Sequence, residues 1–201
     1  MAFGIDFPAF GASNPLLGGT LPYTAIDTYN AALENNGASQ LLGSLYFQPL
    51  TPTGQASNGG GSNQILKYVR YNPTTSVAIQ AGPALVYWKD ETFTTVTPTL
   101  SEALGASQNS VAGWLLYNTT TLSTATAAQI NGNFAWILVG GFNPGAVAPA
   151  STAIGDVVIG ATGSFTGARV AAGTAPGYRI AGYALTAVAS GLADFNVPFL
   201  N

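Results

Sequence analysis

From Gln64 onward the chain is a succession of short segments rich in Val, Ile, Thr, Tyr, Phe and Trp, each closed by Gly, Pro or Asn. Segments of this length and composition suit strands better than helices, and their close spacing predicts an all-β domain built from antiparallel strands. The expected strands are Gln64 to Tyr71, Ser76 to Ala81, Ala84 to Trp88, Phe93 to Thr97, Val111 to Tyr117, Phe134 to Val139, Asp156 to Gly160, Ala168 to Ala171, Tyr178 to Val188 and Phe195 to Phe199. A set of this kind fits a β-barrel or a sandwich. In ILKYVRY, Ile65, Lys67, Val69 and Tyr71 share one face while Leu66, Tyr68 and Arg70 share the other, so both faces carry apolar groups. Either one face meets a neighbouring subunit, or the strand is central and covered on both sides, with Lys67 and Arg70 reaching outward. Helix is expected only as single turns, at Thr99 to Ser107 and Thr124 to Ile130.

Residues 1–63 differ in composition and read as an extended N-terminal arm and linker ahead of a domain at 64–201. Pro8, Pro15, Pro22, Pro49 and Pro52 interrupt regular structure, yet Phe3, Phe7, Phe10, Tyr23, Tyr29, Tyr46 and Phe47 offer large groups to bury. These seven are the candidate assembly contacts, because prolines bar the arm from central strands while its aromatics gain by lying on another surface. That surface is a neighbouring subunit, another protein, or the chain's own domain. One short helix is expected at Thr24 to Asn35, where Ile26, Tyr29 and Leu33 recur at helical spacing. The segment Thr51 to Asn63 (TPTGQASNGGGSN) has the composition of a flexible tether.

Charge is the second constraint. Lys, Arg, Asp and Glu make up 6% of the 201 residues, against roughly 25% in ordinary soluble proteins. A surface so poor in charge is expected to meet other protein, which points to a homo-oligomer. Five cations, scattered at Lys67, Arg70, Lys89, Arg169 and Arg179, and a net charge of -3 argue against nucleic acid. No apolar run is long enough to be a membrane-spanning helix, and the first ten residues lack the pattern of a secretory signal.

The absence of Cys and His removes thiolate nucleophiles, imidazole bases and the usual ligands of zinc, copper and haem. The remaining route to acid/base chemistry is a pair of carboxylates. Asp90 and Glu91 are adjacent, and on a strand would face opposite ways; in YWKDETF they are expected to form a charged turn with Lys89. Asp156, just before VVIG, is expected to accept backbone N–H groups at the start of a strand. No nucleophile, phosphate-loop or calcium-loop motif stands in the chain. No catalytic residues, cofactor or metal are expected. Trp88, Trp114 and Trp136 lie among Leu, Val and Ile, which favours packing over a carbohydrate platform.

The segments VAGWLLYN (Val111 to Asn118), NFAWILVGGF (Asn133 to Phe142), AIGDVVIGATGSFTGARV (Ala153 to Val170) and RIAGYALTAVASGLADFNVPFL (Arg179 to Leu200) follow one another in an order that resembles tailed-phage capsid decoration, or cement, proteins. The likeness covers a little under half of the chain and lies in backbone punctuation, not in chemical groups. It implies a small β-barrel subunit, often trimeric, that binds the major capsid protein on the outside of the head shell. The location it implies is the capsid surface of a virion. A major coat or spike protein of an icosahedral virus and a carbohydrate-binding fibre module are the alternatives.

Overall fold

The computed structural model describes residues 26–27, 42–43, 45–48, 64–72, 74, 84–115, 134–162 and 166–200. Among them are eleven strands: β1 (Ile26–Asp27), β2 (Leu45–Gln48), β3 (Gln64–Tyr71), β4 (Ala84–Trp88), β5 (Thr95–Thr97), β6 (Val111–Leu115), β7 (Phe134–Val147), β8 (Val157–Ile159), β9 (Ala168–Val170), β10 (Ile180–Ala184) and β11 (Leu192–Val197). They join one mixed sheet in the order β2-β3-β5-β4-β6-β7-β11-β10-β8-β9, with β1 added to β7. The protein is therefore mostly β, as expected, but its one large mixed sheet does not as a whole close into a barrel.

Its first half curls until β7 pairs with β3 as well as with β6. The pairings β3-β5-β4-β6-β7 and back to β3 make a circuit of five strands. Strand direction cannot alternate all the way round an odd circuit, so one pair has to be parallel. That pair is β3 and β5, matched at Arg70 with Thr95 and Tyr71 with Val96. The expectation of a purely antiparallel sheet fails for this reason.

The second half, β11-β10-β8-β9, continues from β7 and packs against β4 and β6. Trp114 stacks on Phe195 with ring centres 5.3 Å apart, and its indole N–H donates to the Ala181 carbonyl at 3.0 Å. Tyr87 reaches across from β4, where its hydroxyl donates to the Ala161 carbonyl and accepts from the Ala161 N–H. Burial raises the pKa of this phenol, while its backbone hydrogen bond acts the other way. Leu66, Tyr68, Val69, Leu85, Val86, Trp114, Ile137 and Leu138 are fully buried. Thus β3 is a central strand largely covered on both faces by its own chain, with Ile65 and Arg70 only partly buried.

Several boundaries differ from expectation for local reasons. Strand β7 continues eight residues past Val139, through Gly140, Gly141, Pro144 and Gly145. Opposite Pro144 and Gly145 the register with β11 shifts, and the Asp194 carboxylate accepts the freed Gly145 N–H at 2.9 Å. A bulge with a side-chain acceptor tolerates a proline that a regular ladder would not. Phe93 has φ of 53°, a turn conformation, so β5 starts only at Thr95. Strand β10 ends at Ala184, short of the expected Val188.

The helical turns expected in Thr99 to Ser107 are 3-10 turns at Leu100–Glu102 and Leu104–Ala106. Ile26 and Asp27 are not helical but pair with Ala135 and Phe134 of β7. The rest of the expected helix, the strand at Ser76 to Ala81 and the turn at Thr124 to Ile130 lie outside the described residues.

Gly167 illustrates how tightly the two halves meet. Its φ is 72°, and a Cβ there would lie 2.4 Å from the Ile159 carbonyl oxygen, 2.7 Å from Val158 and 3.1 Å from Leu85. Gly105 has a similar φ of 65° with nothing within 4 Å of its Cβ position. Gly105→Ala should therefore cost only the left-handed strain, about 1 kcal/mol. Gly167→Ala adds a backbone clash and should cost about 3 kcal/mol. Chemical denaturation of the two variants measures the difference; equal losses would contradict the packing described.

Candidate assembly surface

Of the seven aromatic contacts expected in the arm, Tyr46 and Phe47 fall on β2, and Phe3, Phe7, Phe10, Tyr23 and Tyr29 lie outside the described residues. Strand β2 pairs antiparallel with β3 of the same chain, placing Phe47 beside Ile65 and Leu45 beside Lys67. This part of the arm thus extends the domain's own sheet, at its margin, in keeping with the bar that prolines set on central strands.

Register assembles an apolar strip here. Phe47 is 62% exposed and Leu45 41%, on alternate positions of β2 and hence on one face. Ile65 is paired with both Phe47 and Gly140. A Cβ at Gly140 would touch Ile65 at 3.2 Å and the Phe199 ring at 3.5 Å, so the half-exposed Phe199 continues the strip over the glycine. Leu45, Phe47, Ile65 and Phe199 form a continuous greasy surface across β2, β3, β7 and the C-terminal segment. Phe199 was not legible as a member, because its approach to Ile65 depends on Gly140 lacking a side chain.

Most of the residues weighed for catalysis are engaged in structural contacts. Asp90 and Glu91 do form a turn, where Asp90 accepts from Thr92 Oγ1 and the Thr94 N–H. Burial works to raise its pKa, but hydrogen bonds from Thr95, Thr94 and Thr92 outweigh it and hold the pKa below the usual value. Lys89 is not tied into that turn: it donates to the Asn72 carbonyl and Thr74 Oγ1 and lies 3.6 Å from Glu102. Glu102 in turn accepts from the Thr74 N–H and Thr97 Oγ1. Asp156 behaves as expected and adds an ion pair, accepting from the Ala153 and Ala172 N–H groups and from Arg169. Among the described residues no cluster of His, Cys, Asp and Glu could hold a metal.

All three tryptophans are buried, at 1%, 0% and 3% exposure for Trp88, Trp114 and Trp136, so they offer no stacking platform to a sugar. Trp136 packs on Tyr68, with ring centres 5.1 Å apart. Lys67 is 7% exposed as a whole residue, with its ammonium 4.7 Å from the centre of the Trp88 ring. Burial lowers its pKa below the ordinary lysine value. Asn143, fully buried, has neither amide atom hydrogen-bonded.

Two measurements follow from these charges. Arg169 first, then the Ala153 and Ala172 N–H groups, hold the Asp156 pKa at about 2, against an ordinary 3.8, with burial acting in the opposite sense. A depressed folded-state pKa stabilises above the unfolded value and the contribution is lost as pH falls through the folded one. Thermal stability should decline between about pH 4 and pH 2, and Asp156→Asn should be less stable at neutral pH and decline less steeply. At Lys67 the opposing effects are a cation–π attraction of about 0.5 to 2 kcal/mol and a burial penalty of several kcal/mol. The penalty wins, so Lys67→Met should gain about 1 kcal/mol by denaturation in chloride buffer; a loss of stability would reverse that ranking.

No protein-family model matches the chain, and no curated protein matches it.

Proposed function

We propose that this chain is a non-enzymatic viral structural protein, a capsid decoration subunit that binds and stabilises the outside of a phage head shell. The observation that carries the reading is the apolar strip of Leu45, Phe47, Ile65 and Phe199 at the margin of the sheet. Exposed aromatic groups of this kind, on a chain with so few charges, are what a surface needs in order to dock on another neutral protein surface. The order of strand and turn signals from Val111 to Leu200 adds the likeness to cement proteins, and the trimeric state in the proposal comes from that likeness alone. The expected partners are the major capsid protein and further copies of the chain.

The arm enters this proposal in altered form. Because Leu45–Gln48 hydrogen-bond to β3, a truncation starting at Gln64 would remove two strands from the sheet and would test folding more than docking. A surface variant is the cleaner probe. Phe47→Asp should leave the circular dichroism spectrum and melting temperature close to those of the parent while weakening shell binding about tenfold or more. The measurement is sedimentation of the full chain alone and with purified head shells that lack it. Closure of the chain into shells by itself would favour the coat-protein alternative. A monomer that ignores shells would sink the proposal.

A further inference from the structure

We propose that the outer face of β7, β11, β10, β8 and β9 is a self-association surface, on which a second copy of this chain packs face to face about a twofold axis. Pairing register lays one row of side chains across these five strands. Phe142 is matched with Asn196, Asn196 with Tyr183, Tyr183 with Val157, and Val157 with Val170. Residues directly paired in a ladder project to the same side of the sheet. The alternate positions face inward, where Phe195 stacks on Trp114 and Val158 is fully buried. The row therefore lies on the side left uncovered: Tyr183 is 41% exposed, Asn196 is exposed, and Leu185, two positions after Tyr183, is 39% exposed on the far side of buried Ala184. Phe142 and Val157 are buried in the row and Val170 is half-buried.

The chemistry of the face selects its occupant. The row itself carries no charge. Asp194, close by on β11, accepts the Gly145 N–H, and Arg169, between Ala168 and Val170 and so on the opposite side of β9, is paired with Asp156. An ordinary protein, with roughly a quarter of its residues charged, would strip water from some of its charges against a face that has none to offer. This chain, with 6% charged residues, escapes that cost. Its row is also self-complementary. A twofold axis between two facing sheets, parallel to the strands and midway between Tyr183 and Asn196, sets Tyr183 of each copy opposite Asn196 of the other and Phe142 opposite Val157. The phenol and the amide can each donate and accept, so both crossed pairs can be satisfied, and the apolar groups meet apolar groups.

Area sets the strength. Five strands about 4.8 Å apart, counted over about six residues each, present on the order of 500 Å² per copy, or about 1,000 Å² in the pair, where specific interfaces begin. The contact is thus a reversible one that forms as concentration rises. Leu45 and Phe47 lie on β2, outside these five strands, so the strip stays open to another partner in the dimer. The inference does not rest on the decoration reading, and it gives an association of twofold symmetry where the likeness to cement proteins implies a threefold one.

The test is sedimentation of the full chain, without head shells, across the micromolar range. A monomer in reversible exchange with a dimer is expected. Tyr183→Asp, with circular dichroism unchanged, should weaken dimerisation about tenfold or more, because it sets a charge in the middle of a neutral contact. Phe47→Asp should leave dimerisation as it is, which separates this proposal from shell binding. The chain has no cysteine, so Asn196→Cys introduces a single thiol beside the proposed axis. A short bismaleimide should link two copies of that variant and stop at the dimer. A monomer at every concentration overturns the proposal, as does dimerisation undiminished in Tyr183→Asp. A trimer or an open-ended series would set this face against a different surface of the next copy and overturns the twofold contact, and so would association in which Asn196→Cys fails to cross-link.

Discussion

Strand β7 can serve both halves of this protein only because its backbone departs twice from regular register. It takes β3 and then β11 as partners along its length, with β1 at its start and β6 near its middle. A regular strand of fourteen residues would run straight past one of these partners. The shift near Leu138 to Gly140 lets β3 follow the curl, and the bulge at Pro144 and Gly145 turns the chain toward β11. Extra residues of this kind bend a strand and increase its twist, as is needed to carry one sheet through two layers. The Asp194 carboxylate that meets the Gly145 N–H is part of the same device, because a bulge in a covered sheet must still satisfy its backbone.

Much of this was legible residue by residue, and the failures have physical causes. Strands β3 and β4 begin and end where their runs of β-branched and aromatic residues do, since both faces of each are buried and no polar alternation blurs the pattern. The end of β7 was hidden because Gly140, Gly141, Pro144 and Gly145 act locally as breakers. Only the acceptor on β11, 49 residues away in sequence, makes them permissible. The parallel pairing of β3 with β5 could not be read from either segment, because it is forced by the number of strands in the circuit. The apolar strip was legible in part: Phe47 stood out as an arm aromatic, but its alignment with Ile65 and Phe199 is a matter of register and of one missing side chain at Gly140.

Sparse charge changes what each ionic contact does. With so few ionisable groups, those present are used to tie irregular segments together. Glu102 gathers Lys89, Thr97 and the Thr74 backbone, linking a 3-10 turn to the end of β4 and to the segment after β3. Asp156 draws in Ala153, Ala172 and Arg169, closing the turn before β8 onto the segment after β9. Both carboxylates accept backbone N–H groups as well as a cation, so their value lies in ordering loops as much as in charge attraction. At Asp156 these donors also hold the carboxyl pKa down at about 2, so it stays ionised through the neutral range.

The margin of the sheet is where the molecule departs from this economy. Inside, apolar groups are covered; along β2 the side chains of Leu45 and Phe47 are left to solvent, and the nearby Phe199 is half-exposed. A strand at a sheet margin is usually protected by charge, proline or a bulge, and LYFQ has none of these within its four residues. The register that sets Phe47 beside Ile65, and Ile65 beside Gly140, is thus the feature that brings Leu45, Phe47, Ile65 and Phe199 onto one surface.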